Sequence, residues 1–228
     1  MKIIGLLGGL SYQSTLTYYQ LINELVNEKL RHSHSAKIIM YSFDFEEIEM
    51  LQHRNDWQAL AEIMVDKAML LEQAQAQVLA IASNTMHQVD HAIQETCSML
   101  LVHIAKEVAQ KVYEQGCKKV LLLGTKFTMN SSMYPSYLNK YSIECVMCNQ
   151  KEQNQVHDII YNELITQKPS QKSKQIIRDI ICNHPEVDAV ILECTELPLL
   201  NIEIEGVHIF DTTKIHCEAI VRESLKVD

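Results

Sequence analysis

The sequence predicts an α/β fold with two pseudo-symmetric domains, each built on a parallel sheet. Short apolar segments of strand length alternate with amphipathic segments of helical spacing along the 228 residues, a pattern typical of Rossmann-like folds. The motif Leu6–Gly9 returns as Leu122–Thr125, about half a chain later. An apolar run that ends at Ser83 likewise has a counterpart that ends at Cys194. Two matches at similar offsets indicate a duplicated unit.

The first elements follow from local patterns. Lys2–Leu7 is β-branched and aliphatic and precedes two glycines, so it predicts a buried strand. Apolar residues then recur at helical spacing from Leu16 to Leu30. The acidic segment Asp44–Glu49 predicts a loop or short helix that brings in Gln52. Further strands are predicted over 37–43 and 77–82, and further helices over 56–75 and 87–95.

The same alternation continues through the second half. Gly116 is predicted to end a helix as its C-cap. We expect residues 1–98 and 207–228 to form the first domain and residues 99–206 the second. Strands are predicted over 99–104, 118–123, 142–147, 187–192 and 207–210, and helices over 105–114, 151–166, 170–182 and 213–226.

Composition excludes several classes of protein. The net charge of −9 argues against a nucleic-acid partner, because phosphate binding needs a basic surface. The apolar run at the N-terminus is too short for a signal peptide or a membrane span, so we predict a cytoplasmic protein with no membrane partner. Seven cysteines at scattered spacing favour reduced thiols over a disulfide framework.

The strand ends predict the place of the active site. In parallel α/β sheets, ligands bind outside the carboxyl ends of the strands. Gly8, Ser83, Thr125 and Cys194 all lie at such ends, so two units that face each other would place them around one cleft. The loop Gly8–Thr15 has neither a dinucleotide nor a Walker pattern. It is either a tight turn or a loop that lines a small-anion site.

Cys194 is the strongest candidate for chemistry. It is predicted at a helix N-terminus, where the helix dipole lowers the pKa of a thiol, and a thiolate there can act as a base or a nucleophile. The alternative is a small buried apolar residue. Ser83 lacks a nucleophile-elbow pattern, and helix capping is the alternative role for Ser83, Asn84 and Thr85. His87 is interpreted as a helix residue near the site.

No metal site is predicted from the spacing of histidines and cysteines. Cys145 and Cys148 form a C-x-x-C pattern without a second pair of ligands, so we interpret both as structural cysteines. His32 and His34 have no third ligand nearby and fit a solvated loop.

Several motifs together resemble the aspartate/glutamate racemase family. They are Gly8–Thr15, Asn84–His87, Gly124–Met129, Cys194–Glu196 and Phe210–Thr212, in this order. The resemblance runs from the first strand to the closing helix. It implies two α/β domains with the active site between them, no pyridoxal phosphate or other cofactor, an amino-acid substrate and a homodimer. It also implies that the C-terminal segment returns to the first domain.

The resemblance also assigns roles to residues by position. Cys194 matches the catalytic cysteine of the second half, and Ser83 matches that of the first half, which is usually Cys and in a subgroup Thr. The positions that match substrate-contacting residues of the family are Leu10, Gln52, Ser83, Asn84, Thr85, Thr195 and Glu196. Two residues depart from the family pattern. Ser83 replaces a cysteine, and Glu193 replaces the glycine before Cys-Thr-Glu, where it is expected to tilt the loop or narrow the pocket.

The family mechanism implies two bases, one on each face of the substrate's α-carbon. The sequence therefore predicts a racemase of L-aspartate or L-glutamate in which Cys194 is the main base and Ser83 a weak partner. Two alternatives remain open. One is a single-cysteine decarboxylase on the same scaffold, and the other is a catalytically weak protein that binds an amino acid.

Overall fold

The computed structural model describes residues 1–166 and 168–226. Within these residues the chain forms two four-stranded sheets in which every strand pair is parallel. The first sheet belongs to a unit made of Met1–His103 and the chain from His216 onward, and the second to a unit made of 104–215. The predicted α/β class with two parallel-sheet units is confirmed.

Strands and helices alternate in the order that the sequence predicts. In chain order the elements are β1 (Ile4–Gly8), α1 (Tyr12–Leu30), β2 (Ile38–Ser42), α2 (Phe45–His53), α3 (Trp57–Gln73), β3 (Val78–Ile81), a 3₁₀ helix (Thr85–Val89), α4 (Asp90–Thr96), β4 (Leu100–Leu101), α5 (Ile104–Glu114), β5 (Lys119–Leu123), α6 (Lys126–Met129), α7 (Met133–Asn139), β6 (Glu144–Val146), α8 (Gln150–Ile159), a π-helical turn (Ile160–Leu164), α9 (Gln171–Cys182), β7 (Ala189–Leu192), a 3₁₀ helix (Leu197–Leu200), β8 (His208–Asp211) and α10 (Thr212–Leu225).

The two sheets have the same topology. The strand order is β2-β1-β3-β4 in the first and β6-β5-β7-β8 in the second. In this correspondence β3 matches β7. Ser83 and Cys194 are each the second residue after the last residue of these strands, Ile81 and Leu192. The duplication predicted from sequence offsets is therefore present in the topology of the sheets.

Both faces of each sheet are buried by helices. In β7, Val190 and Leu192 pack into one apolar cluster, and Ala189 and Ile191 pack into another. Successive side chains of a strand point to opposite faces. All four residues of β7, and all four of β3, are buried. Burial on both faces explains why these strands are continuous apolar runs without alternation.

The units differ from the predicted domains at both boundaries. β4 pairs with β3 in the first sheet, through Val78 and Leu100, although residues 99–103 were assigned to the second domain. β8 pairs with β7 in the second sheet, through Ala189 and His208, although residues 207–215 were assigned to the first. An apolar pattern predicts that a segment is a strand, but it does not identify the neighbour of that strand.

Three local features were not predicted. The segment after β5 contains the short helices α6 and α7, and the predicted helix 151–166 changes from α to π geometry at Ile160. Only four residues of 3₁₀ helix follow the Cys194 segment. None of the helices among the described residues is long and apolar enough to cross a membrane.

Candidate active site

The glycine loop after β1 is a tight turn held by its own polar groups. Gly9 has a φ of +76°, and a Cβ there would lie 2.3 Å from the backbone nitrogen and oxygen of Phe43, so only glycine fits. The Gly9 N–H donates to the Thr15 hydroxyl at 2.8 Å. Ser11 caps α1 by accepting from the Ser14 N–H at 3.2 Å. These contacts support the tight-turn alternative for this loop.

The same loop supports the end of β3. The Ser14 hydroxyl donates to the carbonyl oxygen of Ala82 at 3.0 Å, directly before Ser83. The Ser83 hydroxyl oxygen accepts a hydrogen bond from the Met86 N–H at 3.4 Å, and the Ser83 carbonyl lies 2.7 Å from Nδ1 of His87. Ser83 therefore satisfies one N–H of the 3₁₀ helix from the position before its N-cap, Asn84, and its own O–H proton is not used by that contact.

Two predicted substrate-contacting residues lie near the segment after Ser83. Gln52, on α2, is 5% exposed, and its amide lies 3.3 Å from the Met86 sulfur. Leu10 is buried in the same apolar cluster as Met86. Asn84 is buried and Thr85 half-buried at the start of the 3₁₀ helix. The first unit thus brings together Leu10, Gln52 and the Ser83 segment, all at the carboxyl end of its sheet.

In the second unit, Cys194 and Thr195 share one acceptor. The Cys194 thiol donates to Oε2 of Glu196 at 2.9 Å, and the Thr195 hydroxyl donates to the same oxygen at 2.6 Å. Glu196 is 6% exposed, while Cys194 and Thr195 are half-buried. A thiol and a carboxylate in direct contact at a strand end form a pair between which a proton can move.

The structure corrects the prediction that the pKa of Cys194 is lowered. Burial raises the pKa of this thiol well above its usual value, and the carboxylate of Glu196 adds to the effect. Cys194 lies in a bend, and the 3₁₀ helix that follows begins only at Leu197 and has four residues. So short a helix, three residues away, supplies little of the dipole that the prediction assumed.

Glu193 is accommodated by a glycine. Its side chain is 2% exposed, and a Cβ built on Gly124 would lie 2.6 Å from its Oε2. Neither carboxyl oxygen makes a hydrogen bond of good geometry within the described residues, although the Thr128 hydroxyl is close by. Burial raises the pKa of Glu193 well above its usual value, which favours the neutral carboxyl.

A buried histidine cluster beside Ser83 was not predicted. The ring of His87 lies 4.9 Å from that of His103 and 5.3 Å from that of His216, between ring centres. His216 contacts the Tyr18 hydroxyl at 2.8 Å and the Val102 carbonyl at 2.7 Å. Burial lowers the pKa of His87 to about 4 and that of His216 to about 3. These residues are far apart in sequence, so no local spacing could have indicated the cluster.

One family model accounts for both units. The model described as Asp/Glu/hydantoin racemase matches residues 7–220, which include every predicted site residue. The chain belongs to the Asp/Glu/hydantoin racemase family. The resemblance predicted from the sequence motifs is confirmed.

Two solved structures are similar to this family member over nearly its whole length. A candidate Asp/Glu racemase from Yersinia pestis is 40% identical, with 99% of this chain and 100% of that chain covered and a TM-score of 0.92. An aspartate racemase homologue from Pyrococcus horikoshii OT3 is 34% identical, with the same coverage and a TM-score of 0.87.

A curated relative of this family member is matched over a shorter length. The broad specificity amino-acid racemase RacX of Bacillus subtilis is 27% identical over 144 residues, which is 62% of each protein. The chain therefore matches less than two thirds of that relative.

Proposed function

We propose that this protein racemises an acidic amino acid, aspartate or glutamate, by moving the α-proton without a cofactor. The observation that carries the proposal is the contact of the Cys194 thiol with the Glu196 carboxylate at the end of β7, in a chain of this family. Similarity to an aspartate racemase homologue and to a broad specificity amino-acid racemase supports the reaction class. It leaves the choice between the two acids open.

Cys194 is the main base in this proposal. Its thiol proton passes to Glu196 and from there to solvent, which leaves a thiolate on Cys194 beside the Glu196 carboxylate. The thiolate then removes the α-proton of the L-amino acid, so that a carbanion forms and the thiol is restored. If the thiol exchanges its hydrogen with solvent and returns a proton to the same face, the L-form is regenerated together with the thiolate.

Ser83 is the proposed partner on the opposite face. Its hydroxyl proton, left unused by the Met86 N–H, goes to the carbanion and gives the D-form, and solvent then reprotonates the alkoxide. A thiol has a pKa of about 8.5 in model peptides, and a serine hydroxyl is far less acidic, so this half of the reaction is slow. The proposed substrate contacts come from Leu10, Gln52, Ser83, Asn84, Thr85, Thr195 and Glu196.

Equilibrium thermodynamics limits what Ser83 can change. Free enantiomers have equal energies, so the values of kcat/KM for the two directions must be equal. A weak partner at Ser83 therefore slows racemisation in both directions and cannot make it run one way. It leaves the Cys194 face free to remove and return a proton, which exchanges the α-hydrogen of the L-enantiomer with solvent.

The test is α-hydrogen exchange in heavy water, followed by NMR for both enantiomers of aspartate and glutamate. Exchange of one L-enantiomer is expected to exceed its racemisation. The Cys194→Ala variant should lose exchange, while Cys117→Ala, which changes a buried cysteine outside the site, should keep it. Exchange no faster than racemisation would refute the one-sided mechanism, and exchange that persists in Cys194→Ala would remove Cys194 from catalysis.

The raised pKa of Cys194 favours one alternative, a weakly catalytic protein that binds an amino acid. Thermal stabilisation by aspartate or glutamate without α-hydrogen exchange would identify it. Only one residue of the pair Cys194 and Ser83 carries a thiol, which also suits a decarboxylase. Release of carbon dioxide from a substituted malonate would identify that activity. We further propose a homodimer, from the family resemblance, and a cytoplasmic location, from the scattered cysteines.

A further inference from the structure

Three potential metal ligands converge in the second unit, on elements that the proposed reaction does not use. Cys148 lies in the loop before α8, Glu152 in the first turn of α8, and His184 in the connection after α9. One ligand atom from each lies within 4.8 Å of the other two. Cys148 is 4% exposed and Glu152 is 6% exposed, and the His184 side chain is 15% exposed. This is therefore not a cluster of solvated surface acids.

Neighbouring groups already orient two of the three side chains. Nε2 of His184 lies 3.1 Å from Oε2 of Glu152, and its Nδ1 lies 3.4 Å from a carboxylate oxygen of Glu186. A carboxylate on the second ring nitrogen is the usual support of a metal-binding histidine, because it fixes the ring and its tautomer. The backbone N–H of Asn149 donates to Oε2 of Glu152 at 3.0 Å and fixes that carboxylate.

A structural role alone explains only part of the cluster. The capping box of α8 accounts for Glu152, and an ion pair accounts for His184. Neither interaction needs a thiol. Cys148 belongs to a buried apolar cluster of the second unit. Its sulfur nevertheless lies within 4.8 Å of the ligand atoms of Glu152 and His184.

We propose that Cys148, Glu152 and His184 bind a divalent transition-metal ion of the zinc class, with a water molecule as fourth ligand. A thiolate and an imidazole favour zinc and its neighbours over magnesium or calcium, which prefer oxygen ligands. The metal ion displaces the thiol proton of Cys148, and that proton is released to solvent. The thiolate and the carboxylate then balance the charge of the ion.

The required change in geometry is small. With bonds of about 2.0–2.3 Å, ligand atoms around a tetrahedral zinc ion lie about 3.3–3.8 Å apart. The present separations of up to 4.8 Å need side-chain movements of about 1 Å. A cavity of about 290 Å³ adjoins one of the three ligands, since Glu152 lines it together with Asn149, Asp179 and Asn183.

The test uses the full chain after treatment with a chelator. One equivalent of Co²⁺ should produce a thiolate-to-cobalt charge-transfer absorption, and one equivalent of Zn²⁺ should remove it. Cys148→Ser should abolish the absorption. Cys145→Ser, the same change in the neighbouring half-buried cysteine, should retain it, and so should Cys194→Ser.

Two further variants keep the test decisive if Cys148→Ser does not fold. His184→Gln should lose the absorption, and Glu186→Gln should weaken zinc binding by roughly 10–100-fold, because the imidazole loses its supporting carboxylate. Circular dichroism verifies that each variant is folded. The proposal is overturned if one equivalent of Co²⁺ gives no thiolate absorption, if the absorption survives in folded Cys148→Ser or His184→Gln, or if it depends on Cys145 or Cys194.

Discussion

The buried carboxyl of Glu193 occupies the space that Gly124 leaves at the end of β5. A Cβ on Gly124 would lie 2.6 Å from Oε2 of Glu193 and 2.8 Å from its Cβ. The departure from the family pattern before Cys194 is thus matched by the absence of a side chain on the neighbouring strand. The Glu193 side chain lies inside the protein. Any effect of Glu193 on the position of the Cys194 loop must therefore come from its packing in the core.

Gly124→Ala is expected to destabilise the protein by about 1–3 kcal/mol, because the new methyl group overpacks the site of Glu193. Gly124 has no positive φ, so backbone strain does not contribute to the loss. Urea unfolding measures the change. In a Glu193→Gly background the same substitution should cost less than about 1 kcal/mol, since the two closest contacts are gone and only the Thr128 Oγ1 at 3.1 Å remains. An equal cost in the two backgrounds would contradict the packing relationship.

A matched background separates the two close contacts. Glu193→Ala removes the carboxyl but keeps the Cβ at 2.8 Å, so Gly124→Ala should still cost more there than in the Glu193→Gly background. If the costs in the alanine and glycine backgrounds are the same, the carboxyl alone causes the strain.

Local patterns predicted where Ser83 and Cys194 lie relative to the strand ends better than they predicted the electrostatics around Cys194. The positions of Ser83 and Cys194 follow from the ends of apolar runs, which the chain displays directly. The raised pKa of Cys194 depends on how far burial excludes water and on where the Glu196 side chain points. Neither property is encoded by the spacing of residues.

Contacts between distant segments were also beyond prediction. The strand character of 99–104 and 207–210 was predicted, but β4 and β8 joined sheets other than the ones expected. His87 and His216 meet in one cluster although more than half of the chain separates them. Single-sequence periodicity carries no information on such pairings.

The raised pKa of Cys194 determines the expected pH dependence of exchange. Below the pKa of the base, the thiolate fraction grows tenfold per pH unit, so kcat/KM for exchange should rise by about tenfold per unit between about pH 6 and 8. A thiol with a lowered pKa would instead give a plateau over this range. NMR exchange rates at several pH values distinguish the two, and a flat profile would contradict the raised pKa.

Glu196→Gln removes the proposed acceptor of the thiol proton. The amide oxygen can still accept the Cys194 hydrogen bond but cannot hold its proton, so exchange should fall by roughly 10²–10⁴-fold. Thr195→Val, which removes the other donor to Glu196 together with one proposed substrate contact, should lower the kcat of exchange much less and act mainly on KM. Comparable losses in both variants would indicate that Glu196 positions the loop and does not take up the proton.

The histidine cluster predicts sensitivity to acid. The pKa values of His87 and His216 are about 4 and about 3 in the folded protein, below the ordinary histidine pKa of about 6.5. The unfolded chain therefore binds more protons below about pH 6.5, and stability falls as the pH decreases from there towards 4. Each histidine contributes a slope of up to about 1.4 kcal/mol per pH unit in this window.

Comparison of variants isolates this contribution. Buried carboxyls with raised pKa values, such as Glu193, contribute a slope of the opposite sign, so the slope of the unmodified protein alone is not the test. The free energy of unfolding of His87→Gln should depend less on pH between about 5 and 7 than that of the unmodified protein. His91→Gln, at a side chain that is 92% exposed, should leave the slope unchanged. Equal slopes in all three proteins would contradict a neutral, buried His87.

Substitution of Ser83 tests whether the two faces are chemically unequal. Ser83→Cys places a thiol at the end of β3, where the proposal puts the slow proton donor. Because a thiol ionises far more readily than a hydroxyl, racemisation should accelerate by roughly 10²-fold, while exchange of the L-enantiomer changes little. Ser83→Ala is the matched control variant that lacks the proposed proton donor, since it removes the hydroxyl but leaves Cys194 unaltered. It should reduce racemisation further and retain exchange, as measured by polarimetry and NMR on the same samples. If Ser83→Cys leaves racemisation unchanged in a folded protein that still exchanges, Ser83 is not the second proton donor, and its hydrogen bond from the Met86 N–H is then its main contribution.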